Sequence, residues 1–211
     1  MDSRRITDQL DFNHIYIMSY IFPRGGTLHF EPVGDIEDPL KLLLGEVKPG
    51  RPIEFRRYSG SKPKDIMGAT YAAILLVSDR FIDALGEVKA TGWGTYPVRL
   101  YDKTGSELPG FHGLAVYGRA GPIDRTKSRI ELIPPPVPQG QAMYVEIGMY
   151  FDPESWDGSD IFIPEGTAAV CVVERVKQAL EQRKLTNIYF EPLSARQGKL
   201  FSEPPGEHAA G

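Results

Sequence analysis

The stretch WDGSDIFIPEGT, residues 156–167, sets Asp157, Asp160 and Glu165 around two glycines and a short apolar run, with Glu154 just ahead of it. Acidic turns of this kind hold calcium or activate water, so their spacing decides the chemistry. An EF-hand calcium loop needs oxygen ligands at alternate positions before its glycine and a glutamate six residues beyond. With Gly158 as that glycine, the ligand positions fall on Pro153, Ser155 and Asp157, and Pro164 stands where the glutamate belongs. The motif fails. Asp157 and Asp160 would work as a hydrolytic pair only with a histidine brought near by folding, which is the enzymatic alternative. His14, His29, His112 and His208 are widely spaced, with no HxH or HxxxH arrangement, so each reads as a solitary strand, turn or tail residue.

Other reactive types are equally isolated. Ser78 stands at a strand-to-helix junction, but VSDRF lacks both flanking glycines of a nucleophile elbow, and helix capping accounts for it better. Cys171 lies inside an apolar run with nothing beside it to lower its pKa, as expected of an inert buried thiol. No GxxxxGK[ST] or GxGxxG is present, and GWGTYP resembles no phosphate loop. Trp93, between Gly92 and Gly94, and Trp156, two residues before Gly158, read first as rings sealing a core edge. No catalytic set, metal site or cofactor is expected.

The elements that would position these residues are short. HIYIMSYIF (14–22) and TLHFEPV (27–33) read as strands joined through PRGG, a plausible hairpin. DPLKLLLGEV fits a short helix capped by Asp38 with proline first, and fits a buried strand nearly as well. YAAILLV is a buried strand, SDRFIDALGEV a helix capped by Ser78 and stopped by Gly86, and TYPVRLYD a strand. The order returns about 95 residues later in AAVCVV, ERVKQALEQRK and NIYFEPL. Aligned on their Ala-Ala starts with a one-residue gap, the two units share an apolar run ending in Val, an Arg and an Ala-Leu. Thr91 and Thr186 then fall in step. IFI within the acidic stretch reads as a short buried strand ended by Pro164. The prolines of 134–138 force an extended segment, either a linker or an edge-hugging connection. Packing both helices on sheet gives an α+β class: a mixed, mainly antiparallel sheet, two principal helices and a β-rich N-terminal portion. The expected divisions are 1–60, a β-rich portion; 61–195, an α+β unit; and 196–211, a poorly ordered tail.

Composition narrows the partners. The 211 residues carry a formal charge of −4. The closest approach to a basic stripe, RPIEFRRYSGSKPK, is interrupted by Glu54 and Pro63 and reads as a solvated strand and turn, so no nucleic-acid partner is expected. The nine-residue HIYIMSYIF falls well short of a membrane span of about twenty. No signal peptide is recognised, and a single cysteine suits a reducing, cytoplasmic setting.

The ordered blocks PKDIMG, ILLVSDRFIDAL, TGWGTYPVRLYDKTGSELPGFHGL and GSDIFIPEGTAAVCVVERVKQALEQRKLTNIYFEPL resemble a family of bacterial immunity proteins from polymorphic toxin systems. The likeness covers roughly residues 60–195 and lies in the order and spacing of the blocks. The resemblance implies a small protein with no catalytic motif that binds and blocks a toxin encoded by a neighbouring gene. A mildly acidic chain suits a basic toxin, because opposite charge speeds encounter and favours the right partner. The expected contact surface is Glu154, Trp156, Asp157, Asp160 and Glu165, with Trp156 as anchor. A general interaction module without a toxin is the third class.

Overall fold

The computed structural model describes residues 10–20, 26–135 and 140–201. In chain order the first elements are β1 (Ile15–Ser19), β2 (His29–Pro32), α1 (Pro39–Leu43), β3 (Ile53–Ser59), β4 (Ile66–Gly68), β5 (Leu75–Ser78), α2 (Asp79–Glu87) and β6 (Trp93–Tyr101). After these come β7 (Glu107–Leu108), β8 (Phe111–Val116), β9 (Gly118–Ala120), β10 (Arg129–Ile133) and β11 (Met143–Ile147). The chain closes with β12 (Ile161–Pro164), β13 (Cys171–Val173), α3 (Glu174–Gln182), β14 (Tyr189–Pro192) and β15 (Gln197–Phe201). The fold is β-rich α+β with mixed sheets. One sheet runs β2-β3-β6-β8-β5-β4, with β7 beside β6; a second runs β14-β1-β13-β12-β9; a third runs β10-β11-β15.

The two strand–helix–strand units are built alike. Ile66 faces Val77 between β4 and β5, and Ile161 faces Val172 between β12 and β13. The spacing is 95, that of Asp65 from Asp160. It holds without a gap, so Ala73, not Ala72, corresponds to Ala168, and the one-residue gap of the sequence alignment is removed. The core order β6-β8-β5-β4 of the first unit matches β14-β1-β13-β12 of the second. His112 of β8 lies between Val77 and Pro97; Tyr16 of β1 lies between Val172 and Pro192. β1 therefore fills, from the N-terminus, the place that β8 fills in the first unit.

That placement overturns the expected hairpin. β1 pairs with β13 and β14, whereas β2 pairs with β3. The first four residues of β1 are all buried. The backbone of β1 is paired along both edges, by β13 on one and β14 on the other, and a single return strand could satisfy only one of them. The intervening PRGG lies largely outside the described residues. Residues 197–201, placed by sequence in the irregular tail, form β15 against β11, and residues 202–211 lie outside the described part.

Three apolar clusters follow from the sheets. A central one joins both units: Phe81 and Leu85 of α2, Val176 and Leu180 of α3, and the facing sheet residues Val77, Leu114, Met18 and Val172. Phe30, Phe55, Met67 and Leu76 fill the opposite face of the first sheet. Ile15, Phe151, Phe162 and Cys171 fill that of the second. Burying each large side chain contributes roughly 1.5–3 kcal/mol.

Local signals set the helix ends. Asp38 accepts from the Lys41 amide with Pro39 in the first turn, and the ambiguous DPLKLLLGEV is a helix. Ser78 caps α2 by accepting from the Phe81 amide at 3.3 Å. Gly86 does not end α2, which continues to Glu87; the chain turns instead at Lys89, φ 49°, as it does after α3 at Lys184, φ 51°. No helix among the described residues is long and apolar enough to cross a membrane.

Candidate functional site

The acidic stretch is a clamped loop. Pro153–Ser155 forms a 3-10 turn capped by Asp152, and Gly158 turns the chain with φ 81°. The Asp157 carboxylate accepts from the Arg119 amide at 2.8 Å and from the Ser159 amide at 2.9 Å, while its own amide donates to the Arg119 carbonyl. Gly121 N–H donates to Ser155 Oγ, and Glu165 N–H to the Ala120 carbonyl. The loop is thus stitched along β9, a fixed backbone from which Glu154, Asp157 and Glu165 project exposed. Trp156 is half-buried. Its ring lies 5.6 Å from that of Phe162, and its Nε1 donates to the Ser159 carbonyl at 3.1 Å.

Asp160 is different. It is only 7 % exposed and serves the interior. Its carboxylate accepts from the Thr91 amide and hydroxyl, both at 2.8 Å, and from both sides of the Arg175 guanidinium fork. Arg175 also donates to the Val88 carbonyl. The counterpart in the first unit is Asp65, 5 % exposed. It accepts from the Thr186 amide at 2.7 Å and hydroxyl at 2.8 Å, from Ser78 Oγ, and from Arg80, which also donates to the Arg183 carbonyl. Each aspartate therefore takes its arginine from its own unit and its threonine from the other. Burial by itself would raise both carboxyls. For Asp160 the Arg175 and Thr91 donors, and for Asp65 the Thr186 and Ser78 donors with Arg80, outweigh it and hold them below the usual range.

Neither Asp65 nor its threonine partner stands out by composition or periodicity. The signal that identifies them is the repeated Asp-Ile at 65–66 and 160–161, in step with Thr91 and Thr186.

The histidines meet other carboxylates than those of the loop. His112 Nε2 lies 2.8 Å from Asp79 Oδ1 at the start of α2. In the matching position of the second unit, Tyr16 donates to Glu174 at the start of α3, and this hydrogen bond holds the Glu174 carboxyl low. His14 lies against the same glutamate at 3.3 Å. His29 is buried, with its ring edge-on to Tyr58; His208 lies outside the described residues. Folding does not bring a histidine into hydrogen-bond contact with Asp157 or Asp160 among the described residues. Cys171 is fully buried, and burial pushes its thiol up. Trp93 packs against the central cluster and donates to the Ala90 carbonyl.

Two open cavities flank α1. One, of about 550 Å³, lies between Leu40 of α1, Leu44 just beyond it and the turn after β12, with Ile163, Pro164 and Glu165 in its wall. Arg119 borders it, its guanidinium donating to the carbonyls of Val116, Gly118 and Leu44. The other, of about 710 Å³, lies on the far side of α1, within residues 33–54.

Among curated proteins, none matches the chain. The sequence model of the immunity protein family Imm11 matches residues 27–195, most of the chain and both units. The blocks whose order resembled polymorphic-toxin immunity proteins lie inside that span, and the chain belongs to the Imm11 immunity protein family.

Proposed function

We propose that this protein is a non-catalytic immunity protein that binds a cognate toxin, encoded by a neighbouring gene, inside the cell that makes both. The observation that carries the reading, beyond family membership, is the clamped loop of residues 152–165. It presents Glu154, Asp157 and Glu165 outward from a backbone tied to β9. A preorganised loop loses little conformational freedom on binding, and several like charges steer an oppositely charged partner. Trp156, half sunk between loop and core, supplies the apolar part of the contact. Asp160 is buried, so its part in this reading is to hold the end of the loop rather than to touch the partner.

Co-expressing the toxin domain of the neighbouring gene with and without this protein tests the reading. Growth is expected to be restored only when the protein is present; equal growth arrest in both cases rejects it. The combined change Glu154→Ala, Asp157→Ala and Glu165→Ala is expected to lower toxin affinity at least about tenfold, mainly through slower association that high salt mimics. Unchanged affinity moves the contact elsewhere on the surface.

A further inference from the structure

The larger cavity is an open groove lined by apolar and charged side chains together. Ile36, Leu42, Val47 and Ile53 line it, and so does Val33; Val33 and Val47 are exposed, at 54 % and 45 %. Its wall carries Asp35, Glu37, Asp38 and Glu54 against Lys41 and Arg51. Lys41 is engaged with Asp38 at 3.6 Å. Asp35, Glu37, Glu54 and Arg51 form no ion pair among the described residues, so carboxylates outnumber guanidinium three to one among the unpaired charges of the lining. Val33 N–H donates to the Glu54 carbonyl at 2.8 Å, and Lys41 and Leu42 of α1 form part of the lining. None of these residues belongs to the loop of residues 152–165, and α1 stands between the two.

Apolar side chains beside unpaired carboxylates complement one kind of side chain. Arginine and lysine lay an aliphatic stem on apolar surface and hold a charged head beyond it, and a guanidinium meets carboxylates with two hydrogen bonds in a plane. A neutral apolar segment would leave the carboxylates desolvated without compensation, and an acidic one would be repelled. We infer that the groove of residues 33–54 is a second docking site, which seats a short arginine-bearing segment of the partner protein. The inference rests on the immunity reading for the identity of that partner. The chemistry of the seat is independent of it.

The test uses the full chain and a defined probe. The blocked peptide acetyl-Leu-Arg-Leu-Arg-amide is titrated against protein with labelled methyl groups, alongside its citrulline counterpart, which keeps the shape and removes the charge. The arginine peptide is expected to shift the methyl signals of Val33, Ile36, Val47 and Ile53 saturably, with the citrulline peptide weaker by about tenfold or more. The combined change Asp35→Asn, Glu37→Gln and Glu54→Gln, at side chains without internal partners, is expected to abolish the shifts while leaving the melting temperature in place. Shifts confined to other regions, equal response to both peptides, or self-association of the chain through these same residues would each overturn the inference. The same triple variant is then co-expressed with the neighbouring toxin domain. Protection by the wild type without any peptide response rejects the groove and keeps the immunity reading. A peptide response without protection does the reverse.

Discussion

Asp65 and Asp160 hold charges in places that burial alone would neutralise, and each succeeds because four or more donors converge on it. Breaking such an arrangement leaves donors and a guanidinium behind, which costs more than the net worth of the contact. The arginines are about half exposed, which moderates the loss. Asp160→Ala is therefore expected to destabilise the fold by about 2–3 kcal/mol in urea titration, and Asp65→Ala by a similar amount. The two changes should not add, because both sever links between the same two units. The pH dependence follows from the lowered carboxyl pKa values. The stabilisation is complete above the ordinary carboxylate range, near about 4, and is lost as pH falls through the lower folded-state values. Urea midpoints should thus drop below about pH 4, and less steeply in Asp65→Asn or Asp160→Asn. An identical slope in the variants would refute this assignment.

At the level of elements, the two helices share a frame but differ in their ends. Ser78 caps α2, whereas Val173 in the matching place gives α3 no side-chain cap. Ser78→Ala removes both the cap and a donor to Asp65, and a loss of about 1–2 kcal/mol is expected from thermal unfolding. After each helix the chain passes through left-handed backbone at Lys89 and Lys184, then again at Gly92 and Asn187. Both lysines are exposed, and their side chains form no hydrogen bond or ion pair among the described residues. Lys89→Gly and Lys184→Gly should each stabilise by about 0.5–1 kcal/mol, since a side chain there costs strain that glycine avoids. Gly92 is not open to the reverse change. A Cβ there would press on the Ile161 carbonyl and on Ser159, so Gly92→Ala should lower the melting temperature and loosen the loop of residues 152–165.

Across the whole molecule, the units exchange supports. The threonine following each helix serves the aspartate of the other unit, and α2 packs on α3 inside one shared core. β1 adds a further dependence, because the second sheet is complete only when the N-terminal strand lies between β13 and β14. Deleting residues 1–20 is expected to open that sheet at its middle and expose Val172 and Phe190. A single cooperative unfolding transition in the truncated chain would show the second unit to be self-sufficient.

The α+β class, the two strand–helix–strand units, the Ser78 cap and the buried IFI strand were all written in local patterns of apolar spacing and capping residues, which act over a few residues, whereas DPLKLLLGEV stayed open between helix and strand until the fold decided it. The turn around Gly158 and the likeness to immunity proteins were legible for the same reason. Tertiary structure alone decided that β1 joins β13 and β14 rather than β2, that Asp160 faces inward to Arg175 and Thr91 while its neighbours Asp157 and Glu165 face out, and that residues 33–54 enclose a groove. Each of these depends on contacts between residues far apart in the chain, where the burial of a strand or the pairing of a charge is fixed by what lies opposite it, and adjacent letters carry no record of that.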